Sequence, residues 1–229
     1  MLKTNIVYLL FFVLLIKPTI NSRADEYHKE KISLYTKLKL SELGLSVQAF
    51  ECAMEGWMNI KNQQITKNNN IISIIDFTQS SKAKRLYIID VHDSILLYQS
   101  LVAHGRNSGE EYAHTFSNEE NSYQSSLGFY ITEKTYSGKH GISLRLRGIE
   151  ENINSEAIER GIVMHGANYV SESFIQENGR LGRSQGCTAI PSENCISLIN
   201  CIKDGTCLFI YYPDTQYLNG SHYLNPNRK

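Results

Sequence analysis

The chain has 229 residues, of which 41% are hydrophobic and 20% are charged. This composition excludes a disordered or collagen-like chain, and the length suits one domain or at most two. The 23 basic and 23 acidic residues cancel, so the chain lacks the positive surplus typical of nucleic-acid-binding proteins. We therefore expect no nucleic-acid partner.

The first 24 residues differ from the rest of the chain in charge and hydropathy. They contain Lys3, Lys17 and Arg23 but no acidic residue, and Ile6–Ile16 is an unbroken run of eleven apolar residues. This run is too short to span a bilayer, which needs about 20 apolar residues in a helix. Together with the small-x-small sequence at 22–24, the pattern is typical of a secretory signal peptide. We expect export to the periplasm or cell envelope and no transmembrane span in the mature chain. An uncleaved membrane anchor is the alternative.

Residues 25–70 are predicted to form a helical lead-in followed by a polar loop. An apolar stripe at helical spacing indicates an amphipathic helix, and Ser46 is suited to cap its N-terminus. The stripe consists of Phe50, Ala53, Met54 and Trp57. The segment Lys61–Asn70 contains four Asn and two Gln, which favours a surface loop.

Residues 71–229 are predicted to form the main domain. Seven short segments rich in Ile and Leu favour β-strands. They are Ile71–Ile75, Arg85–Asp90, Ile95–Gln99, Gly128–Tyr136, Ile142–Arg147, Gly161–His165 and Cys207–Tyr212. One late helix is predicted to begin at Pro191-Ser192 and to end at Gly205. The fold class is therefore mainly β (α+β), with a short helical lead-in.

One of the five cysteines has unusual surroundings. Cys187 lies in the polar loop Gly182–Pro191, where Gly186 permits a sharp turn and a nearby arginine favours the nucleophilic thiolate. The other four are predicted to be core or disulfide residues, with their pairing left open. They are Cys52, Cys195, Cys201 and Cys207. The sequence has no C-x-x-C or H-E-x-x-H spacing, so we expect no metal site and no cofactor.

A thiol nucleophile needs a base, which is usually an imidazole. Three histidines precede a glycine, namely His104, His140 and His165. His165 ends an apolar run and precedes Cys187 by 22 residues, so we predict that it is the base. Its second ring nitrogen should meet a backbone carbonyl, such as that of Gly166, which would fix the tautomer. His104 and His140 are expected to line the cleft or to support its walls.

These residues carry a resemblance to a known family. The segment 162–166 (IVMHG), followed by Ser184-x-Gly186-Cys187, resembles the signature of the L,D-transpeptidase (YkuD-like) family. The segments 102–105, 116–118, 143–146 and 182–187 resemble its murein L,D-transpeptidase catalytic-domain branch more closely. The similarity runs from about residue 45 to residue 212. Gln185 departs from the signature, which has His at that position, and Gln cannot carry a charge.

The resemblance implies a β-sandwich or open barrel with one helix after the catalytic cysteine. It also implies acyl transfer between peptidoglycan stem peptides through a Cys187 thioester, by a protein that we expect to be a monomer. Gly186, Gly166, Ser184 and Gln185 are expected to form or support the oxyanion hole. Substrate-binding candidates are Arg183, Arg145, Arg147, His104 and His140.

Two other activities remain open. Water could replace the acceptor amine, which would make the protein an L,D-carboxypeptidase or endopeptidase. A non-catalytic peptidoglycan-binding module with the same fold is the second alternative. Sortases need an arginine downstream of the cysteine, and the only one here is Arg228 in the tail. Papain-like peptidases place the cysteine before the histidine, and the only histidine after Cys187 is His222.

Overall fold

The computed structural model of the chain describes residues 29–139 and 141–226. The predicted signal peptide and His140 lie outside the described residues. No helix within the described ranges is long and apolar enough to cross a membrane.

Helices and strands alternate in groups along the chain. The helices are α1 (29–37), α2 (Val47–Asn62), α3 (Glu172–Asn178), α4 (Cys195–Ile202) and α5 (Thr215–Gly220). The strands are β1 (Ile71–Asp76), β2 (Leu86–Asp90), β3 (Ile95–Ser100), β4 (Gly128–Gly138), β5 (Gly141–Gly148), β6 (Val163–Ala167), β7 (Thr188–Pro191) and β8 (Cys207–Tyr211). All seven predicted strands are confirmed, whereas β7, α3 and α5 were not predicted.

The eight strands form one sheet that almost closes on itself. Their order is β3-β2-β1-β8-β4-β5-β6-β7, with parallel pairing only between β1 and β8 and between β6 and β7. The chain that continues beyond β3 reaches the opposite edge of the sheet, where the Ala103 amide donates to the Ala189 carbonyl of β7 at 2.8 Å. A second bridge joins Gly105 to Ser184. The predicted open-barrel, mainly β fold is therefore confirmed.

Helix α2 covers one face of this sheet. The Ser46 hydroxyl accepts a hydrogen bond from the Ala49 amide at 3.2 Å, so the predicted N-cap is present. The predicted apolar stripe is buried and belongs to the same hydrophobic core as β1, β4 and β8. Gly56 faces the Phe129 ring of β4 so closely that an ideal Cβ would lie 2.0 Å from the ring. The absence of a side chain at Gly56 therefore sets the distance between helix and sheet.

All five cysteines are free thiols. Cys195 and Cys207 are buried, and the other three are partly buried. The structure therefore contains no disulfide among the cysteines whose pairing the sequence left open.

We predict that Gly56→Ala lowers the free energy of unfolding by about 2 kcal/mol. The added methyl group would overpack the contact with Phe129, which outweighs the gain of about 1 kcal/mol from the higher helix propensity of alanine. Urea unfolding measures the change. Gly220→Ala is the control, because Gly220 also belongs to a helix but a Cβ added there would meet no atom within 4 Å. If Gly56→Ala were as stable as the control, the close contact between α2 and β4 would be contradicted.

Candidate active site

Two neighbouring parallel strands bring His165 and Cys187 to one cavity. His165 lies in the middle of β6, where it pairs with Ser143 of β5 and Ala189 of β7. Cys187 immediately precedes β7, whose first residue, Thr188, pairs with Met164. Because these strands run in the same direction, Cys187 lies at the level of Val163, which lines the same cavity as His165 two residues further along β6. Both side chains line a cavity of about 420 Å³.

The His165 ring is held in one tautomer. Its Nδ1 lies 2.9 Å from the carbonyl oxygen of Gly166. A carbonyl oxygen only accepts, so Nδ1 carries the proton and Nε2 is left as the basic nitrogen. The expected backbone contact with Gly166 is therefore confirmed. The side chain is buried, which restricts it to this orientation.

The Cys187 thiol is protonated at neutral pH. Burial raises its pKa, and this effect exceeds the opposing influence of the Val163 backbone amide and the positive charges of Arg160 and Lys139. Its Sγ donates toward the carbonyl oxygen of Gly161 at 3.6 Å. We expected an arginine in the cysteine loop to favour the thiolate, but the cations that act on this sulfur lie on other segments. Any nucleophilic attack by this sulfur therefore requires a base.

The backbone around Gly186 is fixed by one serine. The Ser184 hydroxyl accepts from the Gly186 amide at 3.1 Å and donates to the Cys187 carbonyl at 2.7 Å. Gly186 has φ +116°, and a Cβ at this position would lie 2.8 Å from the Gln124 carbonyl oxygen. The turn therefore requires glycine. The Gly186 amide, which we expected to help form an oxyanion hole, is therefore donated to Ser184.

The cysteine loop is tied to the segment that follows β3. The Ser184 amide donates to the His104 carbonyl at 2.9 Å, and the Arg106 amide donates to the Ser184 carbonyl at 2.8 Å. The Arg183 guanidinium donates to the Gly109 carbonyl at 3.2 Å and pairs with Glu110 at 2.7 Å. These contacts hold both sides of the loop that ends at the thiol.

His104 supports this segment from inside the protein. Its side chain is 1% exposed, its Nδ1 accepts from the Arg85 guanidinium at 2.8 Å, and its Nε2 donates to the Gly109 carbonyl at 3.2 Å. Burial, together with the positive charge of Arg85, lowers the pKa of His104 to about 3. The imidazole is therefore neutral at physiological pH. His104 does not line the cavity that contains Cys187, so its role is that of a wall support and not of a substrate contact.

The structure brings together only part of the predicted set of site residues. Arg183, Ser184 and Gln185 line the cavity with the candidate pair. Arg145 and Arg147 do not, because they lie beside a second cavity of about 430 Å³ on another part of the sheet. There Arg147 pairs with Glu133 at 3.1 Å, whereas the Arg145 guanidinium stacks on the ring of Tyr136, which lines the first cavity. His140 lies outside the described residues, so its expected place in the cleft stays a prediction.

Sequence reasoning missed several residues of the cavity wall. Arg160 immediately precedes the predicted strand Gly161–His165, and Lys139 lies between the predicted strands Gly128–Tyr136 and Ile142–Arg147. Tyr169 follows β6, and burial, with a smaller contribution from the negative charge that Cys187 can carry, raises its pKa to about 12. No pattern in the sequence marks these residues, because their contacts come from segments distant in the chain.

The sequence profile of the L,D-transpeptidase catalytic domain matches residues 41–211, more than half of the chain. The chain therefore belongs to the family of L,D-transpeptidase catalytic domains, whose members act on peptidoglycan. The match begins within the segment predicted as the lead-in. No curated protein matches the chain in sequence.

Several solved structures resemble this one at low sequence identity. An L,D-transpeptidase from Xylanimonas cellulosilytica is 15% identical, with 62% of this chain and 60% of that chain covered and a TM-score of 0.38. The helical cell shape determining protein Pgp2 from Campylobacter jejuni is 14% identical, with 70% and 55% covered and a TM-score of 0.43. An L,D-transpeptidase from Stackebrandtia nassauensis is 14% identical, with 72% and 68% covered and a TM-score of 0.38. The match thus spans less than two thirds of the length of the first two of these proteins.

We predict that His104 makes the protein lose stability as the pH falls. Its folded pKa of about 3 lies below the ordinary value of about 6.5, so the unfolded chain binds the proton more tightly. This contribution is complete above pH 6.5 and is lost below it, by up to about 1.4 kcal/mol per pH unit. Urea unfolding at pH 7, 6 and 5 measures the slope.

The slope should be smaller in His104→Asn and unchanged in His92→Asn, because His92 is exposed. Equal slopes in wild type and His104→Asn would contradict the burial of a neutral imidazole.

Proposed function

We propose that the protein is an exported cysteine acyltransferase that performs L,D-transpeptidation on peptidoglycan stem peptides. The observation that carries the proposal is the placement of Cys187 and His165 on adjacent parallel strands of one cavity, with the His165 tautomer fixed by Gly166. Membership in the family of L,D-transpeptidase catalytic domains supports the substrate class.

Proton transfer to His165 starts the proposed reaction. The Nε2 atom of His165 accepts the proton of the Cys187 thiol as the sulfur attacks the carbonyl carbon of a stem peptide. The carbonyl oxygen becomes an oxyanion, which the Cys187 amide stabilises by a hydrogen bond. The C–N bond then breaks, His165 returns its proton to the leaving amine of a terminal D-alanine, and a thioester remains on Cys187.

An acceptor amine completes the exchange. It attacks the thioester carbonyl, loses a proton to His165, and displaces the Cys187 thiolate, which takes the proton back. One peptide bond replaces another, so the reaction needs no cofactor and no nucleotide, as suits an enzyme outside the cytoplasm. If water attacks instead, the product is a shortened stem peptide.

The charges of the cavity suit a peptide that carries both signs of charge. Arg183 and Lys139 supply positive charge, and Glu120 and Glu159 supply negative charge along the same wall. Arg183 already pairs with Glu110, so a substrate carboxylate would bind to its guanidinium in competition with that pair. We propose Arg183 as the anchor for a stem-peptide carboxylate, with the protein acting as a monomer.

We predict that Cys187→Ala abolishes the formation of cross-linked dimers from purified tetrapeptide muropeptides, as measured by mass spectrometry. His165→Ala should fall to a similarly low rate, and the double variant should be no worse than either single one, because the two side chains act as one unit. Cys201→Ala is the control that keeps activity, since Cys201 lies on α4 and does not line the cavity.

The products also separate the possible functions. Dimers from the wild type support transpeptidation, whereas tripeptides alone would assign a hydrolase that uses water. Binding without turnover, combined with no labelling of Cys187 by a carbapenem, would assign a non-catalytic module. A double variant far slower than both single variants would contradict the partnership of His165 with Cys187.

We further predict that the protein isolated from its native cells begins at Asp25. A signal peptidase prefers a small residue before the cleaved bond, and Ala24 occupies that position. Intact-mass analysis of the purified protein measures the N-terminus. Ala24→Arg is the matched variant and should retain the leader. A soluble cytoplasmic protein that still begins at Met1 would contradict export.

A further inference from the structure

Arg160 lies beside the thiol although no sequence motif includes it. It is located between a short 3₁₀ turn (Ser155–Ala157) and β6, and it is half-buried in the wall of the cavity that contains Cys187.

Four oxygen acceptors fix the Arg160 guanidinium. One terminal nitrogen donates to the Ser117 carbonyl at 2.7 Å and to the Ser126 hydroxyl at 2.6 Å. The other donates to the Gln124 carbonyl at 2.7 Å and to the Ser122 hydroxyl at 3.2 Å. All four acceptors are neutral, and within residues 29–139 and 141–226 no carboxylate forms an ion pair with this arginine. The side chain is therefore held in place by neutral groups, without a direct ion pair, although Glu119, Glu120, Glu156 and Glu159 line a neighbouring cavity with it.

The guanidinium packs against the turn that precedes the thiol. One terminal nitrogen lies 3.3 Å from the position that a Cβ of Gly186 would occupy, and the Gln124 carbonyl that it binds lies 2.8 Å from the same position. The electrostatic influence is mutual. Arg160 opposes the rise in the pKa of Cys187, and the negative charge that Cys187 can carry opposes the fall that burial causes in the pKa of Arg160.

Arg160 supplies a positive charge that Gln185 cannot. The family signature that the chain resembles has His where this chain has Gln185, and the glutamine cannot stabilise an anion through charge. Burial of Cys187 disfavours its thiolate, so a positive group near the sulfur is needed when the proton leaves. Arg160 packs against the Gly186 turn and lines the same cavity as the thiol, so it can supply this charge.

We propose that Arg160 is a positioning residue of the thiol site, which holds the Gly186 turn and supplies the fixed positive charge that stabilises the Cys187 thiolate.

Other ionisable groups lie around the same sulfur, so a test must separate their effects on its pKa from that of Arg160. Lys139, on the β4–β5 hairpin, is exposed and acts more weakly than Arg160, and Tyr169 is coupled to the sulfur from the segment after β6. His165, Glu120, Glu159 and Arg183 line the same cavity. Arg160 differs from Arg183 in that its charge is not paired with a carboxylate.

Alkylation of Cys187 by iodoacetamide, followed by peptide mass spectrometry across pH 6–11, measures the pKa of the thiol. We expect Arg160→Gln to raise it by about one unit, since an opposite charge within a few ångströms shifts a pKa by about 1–3 units. A thiolate with a higher pKa is also a better nucleophile, so the alkylation rate at pH 7.5 should fall only about threefold. Above the midpoint, the variant should react faster than the wild type. The plots of alkylation rate against pH for the wild type and the variant should therefore cross, which indicates an electrostatic effect on the thiol.

Three variants serve as controls. Arg160→Lys keeps the charge and should keep the midpoint within about half a unit, as the rule for a nearby charge requires. Lys139→Gln should raise the midpoint less than Arg160→Gln does. Arg147→Gln removes a cation beside the second cavity and should leave the midpoint unchanged.

Buried Cys207 reports unfolding in the same samples, because it reacts only when the core opens. If Arg160→Gln labels Cys207 rapidly, then Arg160→Met replaces it as the second neutral variant.

The proposal would be overturned if the Cys187 thiol had the same pKa in the wild type and in a folded neutral variant. It would also be overturned if Arg160→Lys raised that pKa as far as Arg160→Gln does. Alkylation needs no peptidoglycan substrate. A shifted thiol pKa without any cross-linking would therefore support the role of Arg160 and contradict the proposed acyltransferase. Cross-linking activity with an unshifted thiol pKa would support the acyltransferase and contradict the role of Arg160.

Discussion

The closure of the sheet is the constraint on which the thiol site depends. Strands β3 and β7 are the two edges of the eight-stranded sheet, and the chain after β3 crosses to β7 and binds it through Ala103 and Ala189. The same crossing segment binds the backbone of Ser184 on both sides. Without this closure, the loop that ends at Cys187 would be an open sheet edge with unpaired amide and carbonyl groups. The loop instead forms backbone hydrogen bonds with the crossing segment, as a strand does with its neighbour.

A buried cation supports the crossing segment. Arg85 is fully buried, donates to the carbonyls of Val102 and Gln79, and donates to the His104 ring. Burial of a charge is costly unless hydrogen bonds and an opposite charge compensate it, and Asp76 supplies that charge. The pKa of Arg85 is lowered to about 9, so the group remains a cation at neutral pH. Since a cationic imidazole would be repelled by this charge, His104 stays neutral and continues to accept the hydrogen bond.

The sequence predicted the strands of this fold better than the environment of its side chains. Apolar segments of five or more residues identified seven strands, but the four residues of β7 (Thr188–Pro191) are too few to show a period. The glycine after His104 and the one after His165 look the same in sequence, yet only the ring of His165 faces the cavity. The difference arises from the sheet, because His165 lies on the pleat that faces the cavity and His104 points toward Arg85.

Alternation along β5 shows the same limit. Ser143, Arg145 and Arg147 alternate with the buried Leu144 and Leu146, but only Ser143 lines the cavity of the thiol. The strand is eight residues long, and at about 3.3 Å per residue its two ends lie at different sites on one face. The alternation of residues predicts to which face of the sheet a side chain points. It does not predict which site along that face the side chain reaches. Arg160 is invisible for a related reason, since its four acceptors lie 34 to 43 residues earlier in the chain.

The sulfur of the site carries no charge at rest and becomes charged only during the proposed reaction. At neutral pH the Cys187 thiol is protonated, so a buried sulfur does not pay the cost of carrying a charge in the resting protein. In the proposed reaction His165 removes this proton, and the imidazolium and thiolate that form then stabilise one another. Arg160 adds a third charge that is already in place and needs no rearrangement, because its hydrogen-bond partners are neutral backbone and serine oxygens. A fixed charge of this kind stabilises the thiolate at no cost in reorganisation, which is the physical advantage of a preorganised site.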